Sequence, residues 1–236
     1  MLPETKHLEN VIALIIKDSD HVDKTHADRL FIDCSTVDPI RSRAVANVVQ
    51  TQHQGVFVDA PMSGGVVGAK AGSLTFMLGA PQGLVPRIEP ILQMMGKKIW
   101  HCGDQGAGLA GKLANNYLLA IENIAAAEAM NLGIKLGLEP AVLGNLINSC
   151  TGACWPTHTN NPVKGVVPTS ASNRDYDGGF GVSLMKKDLT LALNAAKEAN
   201  AQLELGDKAA EVYNETEKEF KGKDFSVVYR YIGGDK

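Results

Sequence analysis

Three short clusters in this sequence carry residue types and spacings suited to chemistry. The first is Asp59-Ala60-Pro61-Met62-Ser63-Gly64-Gly65, directly after an apolar, β-branched run. Open α/β sheets place ligands at the carboxyl ends of their strands. Consecutive glycines let a small anion approach backbone N–H groups, and Ser63 adds a hydroxyl donor, so a carboxylate fits there. The same residues serve equally well as a tight turn and a helix cap. The second cluster is Gly106-Ala107-Gly108-Leu109-Ala110-Gly111-Lys112-Leu113-Ala114-Asn115-Asn116. Lys112 and Asn116 are four apart and project from one helix face, where both could meet one ligand. A lysine near a helix N-terminus feels the positive end of the dipole and partial desolvation, and both favour the neutral amine that proton transfer needs. An arbitrary lysine, by contrast, is a solvated surface cation. The third cluster, Gly179-Phe180 to Met185-Lys186-Lys187-Asp188-Leu189, holds a Lys-Asp pair of a kind that usually faces solvent.

The elements that must position these clusters follow from periodicity. Strands are predicted at 30–33, 56–59, 74–78 and 99–101, with a helix from Asp38-Pro39 to Val49 opened by an Asp cap with proline at its first position. Strand, helix and strand in this order imply an α/β layer with a partly parallel, Rossmann-like sheet. From Gly106 the pattern changes. The run 107–136 has no proline and is rich in Ala, Leu and Ile at helical spacing, which predicts one long helix. Further helices are expected at 140–148, 183–200 and 205–220, so the second half reads as all-α. The stretch 151–179, rich in Pro, Gly, Asn, Ser and Thr, is longer than ordinary loops and therefore functional or disordered. The expected organisation is α/β followed by all-α: an incomplete Rossmann-like domain over 1–105, then an all-helical domain over 106–236 that includes the long connecting helix, with a cleft between the parts.

Composition narrows the function classes. The 236 residues are 44% hydrophobic and 21% charged, ordinary for a folded globular chain. A net charge of -3 gives no broad positive field for nucleic acid or anionic lipid. The apolar stretch 11–16 is far shorter than the ~20 residues a membrane helix needs. Met1 to Lys6 has the layout of neither a secretory signal nor a mitochondrial presequence. Cys34, Cys102, Cys150 and Cys154 form no disulfide framework and are read as reduced. Cys150 and Cys154 have the look of a metal pair, but no nearby Cys/His pair completes four ligands, and no metal is assigned.

Together the three clusters resemble the signatures of the β-hydroxyacid dehydrogenase family. Asp33-Cys34-Ser35-Thr36-Val37-Asp38-Pro39 resembles that family's Asp-x-Ser-Thr-x-x-Pro stretch, and Met1-Leu2-Pro3 resembles its loop over the nicotinamide ribose. Cys154-Trp155 through Asn160-Asn161-Pro162-Val163, Gly178-Gly179-Phe180-Gly181 and Lys223-Asp224-Phe225-Ser226 are most similar to the 3-hydroxyisobutyrate dehydrogenase branch. The resemblance implies that Ser63, Gly64 and Gly65 hold a substrate carboxylate, that Lys112 is the catalytic acid/base and that Asn116 orients the substrate. It further implies that Leu2, Pro3, Thr36 and Lys187 touch the cofactor, with His7 standing where the family often has a polar amide. NAD is the implied cofactor, with NADP open. The implied setting is a mitochondrial homo-oligomer, dimer or tetramer, acting on a small hydroxyacid in valine breakdown.

Members of the family open with a strand and Gly-x-Gly-x-x-Gly, whose glycines bring a helix N-terminus against the pyrophosphate. Here Met1-Leu2-Pro3 comes first, and the glycines at 64–65 and 106–111 occupy other family positions. The chain is therefore expected to be a truncated form lacking two βα units, with exposed strand edge, lowered stability and impaired cofactor binding. Two other readings are a non-catalytic dimerisation or binding module and a dehydrogenase for a related hydroxyacid, such as a tartronate semialdehyde or succinate semialdehyde reductase.

Overall fold

The computed structural model describes residues 1–19, 28–52 and 55–235. They divide into two compact units, 1–114 and 115–236.

The first unit is α/β. Its elements are α1 (Thr5–Ser19), β1 (Leu30–Asp33), α2 (Pro39–Thr51), β2 (Val56–Asp59), β3 (Met62–Ser63), α3 (Gly65–Lys70), β4 (Leu74–Gly79), α4 (Val85–Gln93) and β5 (Gly96–Gly103). α2 begins as its sequence dictates: Asp38 Oδ1 accepts from the N–H groups of Ile40 and Arg41, 2.9 Å each, and Pro39 occupies a position whose N–H would have no helical partner. α2 carries the chain from β1 to a parallel β2, in register from Leu30↔Val56 to Asp33↔Asp59. β4 then pairs antiparallel with β2 and β3 and parallel with β5, so the sheet is mixed.

Successive strand side chains point to opposite faces, and β2 shows the consequence. Phe57 packs with Leu8, Ile12, Val37, Val45, Val49 and Leu109 on one face. Val58 packs with Phe76, Leu78, Ile88 and Leu92 on the other. Burial of both faces sandwiches the sheet between α1 and α2 on one side and α4 on the other.

The long helix α5 (Ala107–Lys135) begins in the first unit and continues into the second, which adds α6 (Pro140–Ser149), α7 (Trp155–His158), α8 (Val182–Glu198), α9 (Gly206–Phe220) and α10 (Val228–Tyr231). One isolated bridge, Gly181↔Asp224, is its extended pairing among the described residues. α8 and α9 pack on α5 through Ala120, Met185, Leu189, Ala209 and Tyr213. The fully buried Tyr213 hydroxyl donates to Ala120 O at 3.0 Å and accepts from Asn123 Nδ2 at 3.0 Å, which meets the requirement that a buried polar tip find partners.

The stretch 151–179 is ordered. Asp224 Oδ1 accepts from Asn160 Nδ2, Ser226 N and Ser226 Oγ, and its Oδ2 accepts from Phe180 N. Asn160 Oδ1 in turn accepts from Ala171 N, and Asn161 Oδ1 from Val163 N. Amide and carboxylate side chains here do the bonding that a helix or sheet ladder does elsewhere.

Candidate active site

In the first unit, the turn after β2 is built by strand pairing and by glycine. Ala60 N donates to Asp33 O at 2.8 Å and Met77 N to Pro61 O at 2.9 Å, which holds the segment leading to Ser63 against its neighbours. Ser63 ends β3, and Gly64 and Gly65 carry the chain into α3 with φ of 132° and 58°. L-residues rarely adopt either value, so glycine is favoured at both positions, more strongly at Gly64 than at Gly65. No side chain caps the start of α3, which leaves N–H groups of this turn without a side-chain partner.

Lys112 lies in the second turn of α5 and is only 7% exposed. The start of that helix is held from outside itself. By spacing, Gly106, Gly108 and Gly111 form Gly-x-Gly-x-x-Gly at the start of α5, the pattern that elsewhere cradles a pyrophosphate. Here an internal carboxylate takes that place. Asp59, at the end of β2 and fully buried, accepts from Gly106 N and, at 2.8 Å, from Leu109 N. Burial pushes the Asp59 carboxyl above the usual range, opposed by those two N–H groups and by the Arg43 guanidinium. The Cys102 thiol is raised by partial desolvation and by Asp59, and the half-buried Cys34 thiol is pushed up to about 11 by desolvation and by Asp33. Neither thiol is activated toward nucleophilic chemistry.

Leu2, Pro3, His7 and Thr36 belong to segments tied to one another. Leu2 N donates to Ser35 Oγ at 2.6 Å, Ser35 Oγ donates to Asp33 Oδ1, and Asp38 N donates to Thr5 Oγ1 at 3.1 Å. The opening loop and first turn of α1 are thereby pinned beside the carboxyl end of β1. Two buried polar atoms in this region, Asp33 Oδ2 and His7 Nδ1, have no hydrogen-bond partner. Orphaned polar atoms of this kind fit a polar group brought by a ligand. The region around Asp33 and His7 therefore suits a polar group of a bound cofactor, whereas the glycine-rich start of α5 at 106–111 does not suit a pyrophosphate, because Asp59 already uses two of its N–H groups.

In the second unit, Asn116 is 2% exposed and Asp188, on α8, is 3% exposed. Asn116 Nδ2 donates to Asp188 Oδ2 at 2.6 Å, and Asn116 Oδ1 accepts from Asn115 Nδ2 at 3.1 Å. Lys187 Nζ lies 3.1 Å from Asp188 Oδ1, a charge contact without hydrogen-bond alignment. Lys187 and Asp188 stand in the second turn of α8, which begins at Val182. Sequence reasoning assigned no role to Asp188 or to Asp59. The available signals were an acidic residue beside Lys187 and one closing a β-strand before a glycine turn.

Among the described residues no group of three or more His, Cys, Asp or Glu could hold a metal ion, no helix is long and apolar enough to cross a membrane, and the four cysteines are free.

Comparison with known proteins agrees with this geometry. The family described as NAD-binding of NADP-dependent 3-hydroxyisobutyrate dehydrogenase matches residues 106–232, and the NAD binding domain of 6-phosphogluconate dehydrogenase matches residues 1–103. A probable mitochondrial 3-hydroxyisobutyrate dehydrogenase of Dictyostelium discoideum is 41% identical over 98% of this chain and 71% of its own length. The mitochondrial 3-hydroxyisobutyrate dehydrogenase of Drosophila melanogaster is 42% identical over 96% of this chain and 70% of its own. A solved structure of the Mycobacterium tuberculosis 3-hydroxyisobutyrate dehydrogenase with L-serine superposes with a TM-score of 0.91 at 39% identity, over 99% of this chain and 78% of that one. An α/β unit with a glycine turn, a buried lysine on the long helix, and relatives alike over nearly the whole chain lead to one conclusion: the chain belongs to the 3-hydroxyisobutyrate dehydrogenase family of nicotinamide-dinucleotide oxidoreductases.

Proposed function

We propose that this chain carries the machinery for NAD-dependent oxidation of 3-hydroxyisobutyrate to methylmalonate semialdehyde, the reaction that places it in valine breakdown. The observation that carries the reading is the burial of Lys112 on α5. Burying an amine is costly, and proton transfer to a substrate oxygen is a use that justifies the cost.

In this reading the Lys112 amine takes the proton from the substrate hydroxyl during oxidation. In reduction it returns the proton to the aldehyde oxygen and steadies negative charge developing there. Ser63 Oγ and the N–H groups of Gly64 and Gly65 bind the carboxylate, a role supported by two positive-φ glycines in succession. Asn116 orients the reacting group. An ionised Asp188 can only accept, so it fixes which end of the Asn116 amide is the donor and leaves a second N–H for the substrate. When bound, the nicotinamide ring supplies hydride acceptance and return. Leu2, Pro3, His7, Thr36 and Lys187 are the residues assigned to hold that cofactor. The preference for NAD over NADP, and a mitochondrial location, are inferences from the resemblance; the named relatives from Dictyostelium and Drosophila are mitochondrial.

Self-association as a dimer or tetramer belongs to the same proposal. It is supported by the exposed apolar side chains Leu132, Leu136, Val142 and Leu146 of the helical unit.

Turnover with 3-hydroxyisobutyrate, glycerate and 4-hydroxybutyrate, each with NAD and with NADP, tests the reading. The expected order puts 3-hydroxyisobutyrate with NAD first. Preference for another hydroxyacid would contradict it. Calorimetric titration of the chain with NAD alone separates a binding failure from a chemical one.

A further inference from the structure

We propose that Asp59 is a positioning residue for Lys112, acting through the first turn of α5. This rests on the reading of Lys112 as the proton-transfer residue, and it adds a group in the interior that sets where the amine stands.

The argument begins with what anchors the carboxylate. Asp59 closes β2, where its backbone is paired with Asp33 on one side and Gly79 on the other, so its main chain has little freedom. The side chain is enclosed by glycines. A Cβ at Gly79 would collide with both carboxylate oxygens, and one at Gly108 would collide with Met77 O and lie 2.9 Å from Asp59 Oδ2. Gly106 has φ of 90°, which again calls for glycine. Two glycines, Gly79 on β4 and Gly108 on α5, are therefore fitted around one buried carboxylate, and Gly106 turns its N–H toward it.

What the carboxylate holds is the free end of the helix. A helix start leaves N–H groups without internal partners. Asp59 takes two of them, Gly106 N and Leu109 N, although it lies 47 and 50 residues away in sequence. A local cap fixes a helix only to its own flanking chain, whereas this one fixes it to the sheet. Lys112 follows Leu109 by three residues, roughly 4.5 Å along the axis. Any tilt or rotation allowed to the first turn is passed to the amine. Active-site groups must hold their place to within about 0.5 Å, and a displacement of about 1 Å costs on the order of 100-fold.

Asp59→Asn is the fitting perturbation, being the same shape but presenting a donor where one N–H now meets an acceptor. The expected result is a fall in kcat of at least about tenfold with KM within about threefold, since substrate contacts remain while the amine is misplaced. A second readout is independent of turnover. Labelling of Lys112 by an amine-reactive acylating reagent, measured by mass spectrometry against the exposed Lys164, is expected to speed up in Asp59→Asn, because a loosened first turn exposes the amine more often. Unchanged kcat per folded molecule, or unchanged relative labelling, in a folded variant would overturn the proposal. If Asp59→Asn fails to fold, hydrogen exchange on the unaltered chain decides. The Gly106 and Leu109 amides must then be as protected as the middle of α5, and rapid exchange at both refutes the latch. Lys112→Ala keeps the two ideas apart. Full activity there removes the proton-transfer reading, while the labelling ratio still decides whether Asp59 holds Lys112.

Discussion

Asp188 Oδ2 accepts a 2.6 Å hydrogen bond from Asn116 Nδ2, with both side chains shut away from solvent and their residues 72 apart in sequence. An acceptor of fixed character opposite an amide removes the ambiguity of which way the amide faces. Asp188→Asn restores that ambiguity at almost no change in volume. Hydrogen bonds to charged groups contribute about 1.5 to 3 kcal/mol, so kcat/KM for 3-hydroxyisobutyrate is expected to fall by roughly 10- to 100-fold. Steady-state kinetics with circular dichroism as a folding control measures it, and a loss below twofold would mean that Asn116 keeps its orientation unaided.

The glycine turn gives a prediction of a different kind. Gly65 has open space where a Cβ would go, so Gly65→Ala meets only backbone strain at φ 58° and should cost about 1 to 2 kcal/mol of stability. Gly64→Ala adds a 3.1 Å contact with Leu74 Cδ2 to a φ of 132° and should cost more. Urea midpoints compare the two, and the carboxylate-binding role further predicts a higher KM for the hydroxyacid in both. Equal KM values in variants and parent would remove that role from the turn.

Asp224 is the tie between the stretch 151–179 and the segment before α10. Replacing it with Ala leaves Asn160 Nδ2, Phe180 N and Ser226 N without their acceptor. At about 1 kcal/mol or more for each unsatisfied buried donor, the helical unit should lose at least about 3 kcal/mol. Denaturant unfolding monitored by far-ultraviolet circular dichroism checks this, and a loss under about 1 kcal/mol would show that the stretch holds itself.

Stability should also carry a pH signature of Asp59. Its carboxyl is raised by burial, so as pH climbs from the ordinary carboxylate range toward the raised value the unfolded chain ionises first. The unfolded state then binds fewer protons than the folded one, and stability declines across that window. Relative to Asp59→Asn, the unaltered chain should hold a larger urea-midpoint advantage near pH 4 than near pH 7. An advantage that grows with pH would show that the two N–H groups outweigh burial.

Much of this architecture is legible locally. The Asp38-Pro39 start of α2 announces itself, and the expected helices at 183–200 and 205–220 correspond to Val182–Glu198 and Gly206–Phe220. Where local signals conflict, periodicity sets no bounds for the helix expected between two strands. α4 contains Pro86 near its start and Pro90 within it, residues that argue against a helix, yet Ile88 and Leu92 bury one face against the sheet and the helix persists. β3 is two residues long and owes its existence to β4. The ordered course of 151–179 depends on Asp224, and the partners of Asn116 and of the α5 start come from distant segments. The motifs therefore identify Ser63, Lys112 and Asn116 as candidates, while Asp59 and Asp188, which hold such residues in place, emerge only once the chain is folded.

The most direct test is the turnover of Lys112→Ala with 3-hydroxyisobutyrate and NAD beside the unaltered chain. Loss of acid/base catalysis should lower kcat by at least about 100-fold in a variant that remains folded. A folded Lys112→Ala chain that keeps most of its turnover would contradict the account.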